Sequence, residues 1–360
     1  MRSHRGVRVR GPFALNSARP WPPARAAARL HVIFRMMQTD PMLQVDELSV
    51  EFPLRRGIFQ GSSLTAVDRV SMRVARGETV GLVGESGSGK STLARALMRL
   101  IRPSAGSVSG RVRFLDRQWL TMPPAELRRH RRHLQLVFQD PLACLNPRMT
   151  IGDTMQEPLK IFRPELDSAA RGQLVDAMLV NVGLEPQIRG RYPNQFSGGQ
   201  CQRIGIARAM IVEPAMLVCD EPVSALDVSI QGQIVNLLAD MQRETGAAMI
   251  FISHNLGIVR HISQRVYVIY RGRIVESADC ETLFASPRHP YTRALIDAIP
   301  QISVRPRVDP RFAPDVQPGS PGCAFADRCA YAAKPCRERA PDLAEAGSDH
   351  WVACLRLREI

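Results

Sequence analysis

Residues 84–91 decide the fold, and they read Gly84-Glu85-Ser86-Gly87-Ser88-Gly89-Lys90-Ser91, followed by Thr92. The apolar run Thr79–Val83 before them has the length of a buried strand, and the residues after them repeat apolar side chains with helical spacing. Glycines let backbone N–H groups turn around phosphates, and a helix start adds its positive dipole end there. The sequence therefore predicts a nucleotide-binding strand, loop and helix, in which Lys90 contacts the β- and γ-phosphates and Ser91 contacts Mg²⁺.

An acid pair forms the second signal. The apolar run Met216–Cys219 ends in Asp220-Glu221-Pro222, which places two carboxylates at the carboxyl end of a strand, where open α/β sheets bind ligands. We expect Asp220 to hold the Mg²⁺ shell and Glu221 to act as the general base for the attacking water. An acid pair before proline is also a common turn, but the phosphate-binding loop earlier in the chain favours the catalytic interpretation.

The organisation of the chain predicts an α/β fold. Alternating apolar residues from Leu43 onward indicate antiparallel strands, and helix-prone, charged sequence dominates at about 115–210. Beyond it, Ala215–Cys219 and Ala248–Ile252 read as buried parallel strands separated by a helix at Ile230–Arg243. We therefore predict a phosphate-loop NTPase core with an antiparallel β subdomain, an inserted α-helical subdomain and a small cysteine-containing C-terminal tail.

Phe196-Ser197-Gly198-Gly199-Gln200 resembles the signature motif of the ATP-binding-cassette family. Other motifs follow in that family's order: Gln139 after an apolar run, Ser224-Ala225-Leu226-Asp227, and His254 just after a strand. The resemblance implies that Gln139 senses Mg²⁺ and that His254 clamps the γ-phosphate. It also implies a head-to-tail dimer in which Asp227 lies between subunits and residues Ser197, Gly198, Gly199 and Gln200 cover the partner's ATP.

Three positions depart from the family's pattern or are less certain matches. Phe52 aligns with the aromatic residue that stacks on adenine, which is commonly a tyrosine, so the stacking face remains without the hydroxyl. Asn255 follows the switch histidine where an aspartate is usual. Cys201 follows the signature where the family often has a basic or amide residue. None of these departures affects a residue expected to contact phosphate.

Two further stretches, 138–149 and 286–295, resemble the ATPases of oligopeptide and dipeptide importers. This resemblance covers about residues 43–355. It implies a second ABC ATPase subunit, two transmembrane permease subunits and an extracytoplasmic peptide-binding protein. It also implies a peripheral position at the cytoplasmic face of the bacterial inner membrane. Nickel and glutathione importers use similar cassettes, so both stay as alternative substrates. The predicted segments are a basic disordered tail 1–41, an ABC ATPase cassette 42–285 and a C-terminal region 286–360.

The C-terminal region concentrates four of the eight cysteines: Cys323, Cys329, Cys336 and Cys354. Their spacing differs from that of zinc ribbons, and a core-poor tail cannot bury enough surface to hold itself together. A bound metal or cluster and four unligated thiols are the two interpretations of the residues. The family's tail has a similar cysteine pattern, and the resemblance implies an iron–sulfur cluster, [4Fe-4S].

Composition narrows the alternatives. The formal charge is +14, but 45 of the 48 basic residues are scattered arginines, which argues against nucleic acid as a partner. The first 41 residues carry eight arginines and one acid, which favours disorder; translation starting at Met36, Met37 or Met42 is an alternative.

A soluble ABC ATPase of nucleic-acid metabolism usually carries two cassettes or a long coiled coil, and neither is visible in the sequence. A non-catalytic binding module is disfavoured by the intact catalytic set.

Overall fold

A computed structural model describes residues 41–53, 63–299 and 321–360. The chain divides into two units, Met1–Asp40 and Pro41–Ile360, and every element below belongs to the second. The predicted basic tail 1–41, apart from Pro41, lies outside the described residues, as do residues 300–320 of the predicted C-terminal region. The predicted boundaries of the cassette and the C-terminal region stay predictions.

The alternating residues after Leu43 form an antiparallel four-stranded sheet in the order β2-β1-β4-β5. Leu43 and Val45 are buried on β1, and so are Leu48 and Val50, so the two-residue period slips by one residue between these pairs. A bulge absorbs the slip, with Glu47 at φ 50°. The strands of this sheet are β1 (Leu43–Pro53), β2 (Ser63–Val74), β4 (Ser107–Phe114) and β5 (Arg117–Gln118).

The second sheet is the core of the molecule and has eight strands in the order β11-β12-β10-β9-β3-β8-β7-β6. Its central strands are fully buried on both faces, as parallel strands covered by helices must be. The strands are β3 (Thr79–Val83), β6 (Leu134–Val137), β7 (Met216–Asp220), β8 (Ala248–Ser253), β9 (Arg265–Tyr270), β10 (Arg273–Asp279), β11 (Ala344–Gly347) and β12 (His350–Val352).

Alternate residues of the core strands enter two separate apolar cores. On β8, Met249 and Phe251 join one core while Ile250 and Ile252 join the other. Because β3, β6, β7 and β8 run parallel, their carboxyl ends meet at one edge of the sheet. The residues that follow those ends are the ones that the sequence singles out.

Helices cover the sheet and fill most of the predicted insertion, although strands β5 and β6 also lie within 115–210. In the described ranges, no helix combines the length and apolar content that a membrane span requires. The helices are α1 (Lys90–Leu97), α2 (Pro124–His130), α3 (Ile151–Phe162), α4 (Ser168–Asn181), α5 (Gly198–Met210), α6 (Val228–Thr245), α7 (Leu256–Ile262), α8 (Cys280–Ala285), α9 (Pro290–Asp297) and α10 (Lys334–Glu338).

The C-terminal region is attached to the core sheet. Strand β12 pairs with β10, and β11 pairs with β12, so these strands extend the sheet at its edge. Glu276 of β10 is completely buried, and its Oε1 lies 2.7 Å from Nε2 of His350 on β12. Phe325 packs edge-on against Tyr270, with ring centroids 5.4 Å apart. The C-terminal region is thus stabilised by packing on the core of the cassette, because it is too small to bury a core of its own.

Candidate functional site

The phosphate-binding loop leaves the end of β3 and enters α1 in a conformation that requires glycine. Gly89 has φ 103°, and a Cβ there would lie 2.5 Å from the carbonyl oxygen of Ala66. Gly89 caps α1, whose N-terminus has no side-chain cap. The Oγ of Ser88 is buried and has no hydrogen-bond partner in the described residues. The loop therefore offers backbone N–H groups and a helix start to an anion.

Lys90 points into the loop. Its side chain is 4% exposed, and its Nζ donates to the carbonyl oxygens of Gly84 and Glu85, both at 2.9 Å. The same Nζ lies 3.9 Å from Oε1 of Glu221. Burial lowers the pKa of Lys90, while the carboxylates of Glu221 and Asp220 act in the opposite direction. A buried cation held by carbonyl oxygens is placed to transfer its hydrogen bonds to phosphate oxygens.

Ser91 and Asp220, the two predicted Mg²⁺ contacts, are in direct contact. The Ser91 hydroxyl donates to Oδ1 of Asp220 at 2.8 Å. Burial raises the pKa of Asp220, and the hydrogen bond from Ser91 acts against that rise. A hydroxyl and a carboxylate at hydrogen-bonding distance are oxygen donors of the kind that Mg²⁺ prefers.

Glu221 lies at the centre of the predicted catalytic residues. Its Oε2 is 3.3 Å from Nδ1 of His254 and 3.4 Å from Nε2 of Gln139. Its backbone is in the left-handed region at φ 46°, and its N–H donates to the carbonyl oxygen of Ile252 at 3.0 Å. A non-glycine residue in this region is strained, which is common where function fixes a side chain. The structure thus brings Lys90, Gln139, Glu221 and His254 together.

The signature residues form the start of α5. Ser197 Oγ accepts from the N–H of Gln200 at 3.3 Å, and Oε1 of Gln200 accepts from the N–H of Ser197 at 3.0 Å. This reciprocal pair is a capping box. Gly198 and Gly199 lie beside residues at the start of α6, where a Cβ on Gly199 would come 2.8 Å from Cγ2 of Ile230. Within the described residues, no hydrogen bond joins Ser197 or Gln200 to the phosphate-binding loop.

Comparison with known proteins decides the family. A model described as ABC transporter matches residues 67–224, and one described as oligopeptide/dipeptide transporter, C-terminal region, matches residues 275–336. The oligopeptide transport ATP-binding protein OppF of Escherichia coli K12 is 45% identical over 327 residues, covering 88% of this chain and 96% of that protein. This chain belongs to the ABC transporter family. A putative peptide import ATP-binding protein of Brucella ovis is 46% identical over 324 residues, covering 89% and 99%.

Solved structures of ABC proteins share the fold. The structure of cbiO1 from Clostridium perfringens, described as part of the ABC transporter complex cbiONQ, superposes with a TM-score of 0.57 at 27% identity, covering 69% of this chain and 92% of that one. The dimeric, post-hydrolysis ATP-binding cassette MJ0796 bound to ADP and Pi gives 0.58 at 27% identity, covering 66% and 99%. The predicted α/β phosphate-loop fold and the ATPase class are confirmed.

The structure explains one of the positions at which this ABC protein departs from the family's sequence pattern. Asn255 is the N-cap of α7, and its Oδ1 accepts from the N–H groups of Gly257 and Ile258 at 3.0 and 3.3 Å. Asparagine and aspartate cap helices about equally well, so the substitution preserves this local function. Cys201 is fully buried and serves as core. Phe52 lies against Gly106, and its adenine-stacking role stays a prediction.

The sequence did not predict two contacts that the structure shows to the phosphate-binding loop. The hydroxyl of Tyr291 accepts from the N–H of Glu85 at 2.8 Å, and Arg328 binds the Glu85 carboxylate with two nitrogens. Tyr291 belongs to a stretch that identified the subfamily, but no local pattern connects either residue to a loop more than 200 positions away. Asp227 is exposed at the start of α6 and makes no side-chain capping bond.

The four C-terminal cysteines line one cavity, together with apolar neighbours including Phe325 and Leu355. Burial raises the pKa of the Cys323, Cys329 and Cys354 thiols. In the part of the chain that the structure describes, no group of three or more His, Cys, Asp or Glu side chains is arranged to hold a metal ion. The structure therefore gathers these cysteines around one cavity, but the described residues do not form the metal-ligand set that the resemblance implies.

Proposed function

We propose that this chain binds and hydrolyses ATP to drive the import of di- or oligopeptides through a membrane permease complex. The observation that carries the proposal is the meeting of Lys90, Ser91, Asp220 and Glu221 at one edge of the core sheet. Curated relatives at about half identity are named as peptide-transport ATP-binding proteins, which supports the substrate class.

We assign each residue of the site a role in nucleotide binding or hydrolysis. Lys90 exchanges loop carbonyl oxygens for phosphate oxygens when the nucleotide binds. Ser91, Asp220 and Gln139 would hold Mg²⁺, which supplies charge neutralisation for the phosphates. Glu221 accepts the proton of the attacking water, and His254 contacts the γ-phosphate. Phe52 stacks on the adenine ring, and residues 84–92 surround the phosphates.

The signature motif needs a partner. Its capped helix start presents backbone N–H groups as a second anion site, so Ser197, Gly198, Gly199 and Gln200 cover ATP bound by a second ABC ATPase subunit. Asp227, exposed at the start of α6, contacts that subunit. Two permease subunits and an extracytoplasmic peptide-binding protein complete the importer. The chain acts as a peripheral subunit at the cytoplasmic face of the bacterial inner membrane, with a cassette at 42–285 and a transporter-type region at 286–360.

The decisive experiment replaces Glu221 in the purified complex with its permeases. We expect Glu221→Gln to bind ATP but to lower turnover by about 100-fold or more, because the general base is lost while the side-chain shape remains. Glu244→Gln, an exposed residue near the end of α6, is the matched control and keeps normal turnover. Near-normal ATP hydrolysis in Glu221→Gln would show that this residue is not the general base. If the parent complex hydrolyses ATP but takes up no di- or oligopeptides, peptides are not its substrate.

An iron–sulfur cluster, [4Fe-4S], is our proposal for the cysteine cavity. The cavity is lined by four thiols, the number of ligands and the soft sulfur type that such a cluster takes, and the thiols would have to move to bind it, since they do not form a metal-holding group as they stand. Iron content and visible absorbance of anaerobically purified protein test it. Cys329→Ser should lose both, whereas Cys144→Ser, a half-buried cysteine outside the cavity, should retain both. Protein without iron or absorbance contradicts the proposal.

A further inference from the structure

One residue of the phosphate-binding loop is held by the C-terminal region. The guanidinium of Arg328 donates from two nitrogens to the two carboxylate oxygens of Glu85, at 2.8 and 2.9 Å. The same guanidinium lies over the rings of Tyr270 and Phe325, 5.9 and 5.5 Å from their centroids. A bidentate pair has fixed geometry, and the two rings hold the guanidinium in place. The carboxylate of Glu85 therefore has a defined direction.

The backbone of Glu85 is fixed at the same time. Tyr291 is completely buried, and its hydroxyl accepts from the Glu85 N–H at 2.8 Å. The Glu85 carbonyl oxygen accepts from Nζ of Lys90 at 2.9 Å. Three different groups of one loop residue thus have partners, and two of those partners come from beyond residue 285. The loop is held before any nucleotide arrives, which lowers the entropy that nucleotide binding must remove.

The charge of Glu85 gives Arg328 a second effect. A carboxylate five residues before Lys90 stands in a loop that is built for a polyphosphate, and an unpaired negative charge there repels the ligand. Arg328 neutralises that charge through its two hydrogen bonds. If Arg328 were removed, the loop would lose its support and would gain an uncompensated negative charge near the phosphate site.

Other contacts also attach the C-terminal region to the core. Strand β12 pairs with β10 in the core sheet, and the buried contact between Glu276 and His350 secures the same junction. Phe325 adds ring contacts with Tyr270 and Tyr291. Because these interactions also hold the region in place, the ion pair between Arg328 and Glu85 is not the region's only attachment, and its main effect can be on the phosphate-binding loop.

We propose that Arg328 and Tyr291 are positioning residues of the ATP site: from the C-terminal region they hold Glu85, and through it the phosphate-binding loop, in its nucleotide-binding shape. The inference rests on the proposed function, since it takes ATP as the ligand of this loop. It extends the nucleotide site into the region that contains the four cysteines, because Arg328 directly precedes Cys329.

A double-mutant cycle on the full chain tests the role of the ion pair. The variants are Arg328→Met, Glu85→Gln and the double variant, and the readout is the Kd for Mg-ATP by calorimetry. We expect Arg328→Met to raise that Kd about three- to tenfold, the range of a partly exposed bidentate pair. In the Glu85→Gln background the same change should have no more than about a twofold effect, because no carboxylate remains to be neutralised.

Controls separate positioning from folding. Arg337→Met breaks a neighbouring pair with Asp327 in the same region and does not touch the loop, so its Kd should match the parent. Thermal unfolding of each variant without nucleotide shows whether the fold is intact. Tyr291→Phe removes only the hydroxyl and should also weaken ATP binding. In the transport complex, KM for ATP should rise in Arg328→Met while kcat stays within about twofold, as expected for lost ground-state binding.

The outcomes distinguish this inference from the function on which it rests. Lys90→Ala abolishes ATP binding if the loop is the nucleotide site, and unchanged binding in that variant overturns the proposed function. If Lys90→Ala fails to bind but folded Arg328→Met binds like the parent, the positioning role is wrong. An equal loss of affinity on Arg328→Met in the parent and in the Glu85→Gln background also overturns it, because Arg328 would then act by another route.

Discussion

The buried carboxylate of Glu276 should control how firmly the C-terminal region is held. Its Oε1 accepts from the N–H of Arg288 at 2.7 Å and lies 2.7 Å from Nε2 of His350, while its Oε2 accepts from the N–H of His289 at 2.9 Å. The side chain is completely buried. We therefore choose Glu276→Gln, which keeps the shape and changes only charge and hydrogen-bonding capacity.

The amide cannot satisfy all of these partners. If its oxygen takes the place of Oε1, its NH₂ group faces the N–H of His289; if its oxygen takes the place of Oε2, the NH₂ group faces the N–H of Arg288. In either orientation a buried backbone donor loses its acceptor, which costs about 1–3 kcal/mol, and the remaining hydrogen bonds lose their charge assistance. We expect a local destabilisation of about 2 kcal/mol, or a roughly 30-fold increase in opening.

Hydrogen–deuterium exchange read by mass spectrometry measures this opening directly. Peptides that cover residues 286–299 and 350–353 should exchange about 30-fold faster in the variant, while peptides from β7 and β8 should be unchanged. Glu345→Gln, on exposed β11, is the matched control and should exchange like the parent. Exchange within about twofold of the parent in Glu276→Gln would refute the reasoning, because the unsatisfied N–H would then cost almost nothing.

Three further predictions follow from single side chains. Burial lowers the pKa of His289 to about 4, so the unfolded state alone takes up a proton as pH falls below about 6.5, and stability should drop by about 3 kcal/mol by pH 4. His289→Asn, whose amide oxygen can replace Nδ1 as the acceptor for the Tyr291 N–H but does not titrate, should flatten that pH slope in chemical denaturation; an equal slope contradicts it. Ser197→Ala should cost about 1 kcal/mol of stability by removing the cap of α5 and should lower turnover of the complex more than ATP affinity of the chain. Gly89→Ala should weaken ATP binding at least about tenfold, since its φ is positive and the new Cβ would meet the Ala66 carbonyl, while Gly232→Ala, in open space on α6, should leave it unchanged.

The sequence predicted the positions of the main strands and helices of the cassette well, because each of these signals lies within a short stretch of residues. The strand Thr79–Val83 was placed correctly by its apolar run, and α6 begins at Val228, two residues before the predicted start at Ile230. The slip on β1 was not predicted, because a bulge depends on the pairing partner and not on the strand's own residues. The roles assigned to the individual site residues stay predictions.

The C-terminal region was the harder part for a related reason. Strands β11 and β12 are only four and three residues long, too short to show a period, and they form by adding to an edge that β10 leaves open. The pair between Arg328 and Glu85 joins residues 243 positions apart, so no spacing rule connects them. Long-range partners of this kind depend on the fold and become visible only in three dimensions.

Strand order explains why Glu221 contacts residues from both sides. Strand β7 lies between β6 and β8, and Val137 of β6 pairs with Cys219 of β7. Two residues further along, Gln139 is level with Glu221, and on the other side Ile252 of β8 pairs with Asp220, which brings His254 alongside. Strand β3 is the next neighbour beyond β8, and from its loop Lys90 reaches to within 3.9 Å of the same carboxylate. The parallel order of these four strands therefore brings together segments that are far apart in sequence, and β7, with a parallel strand on each side, is where a carboxylate can receive partners from both neighbours.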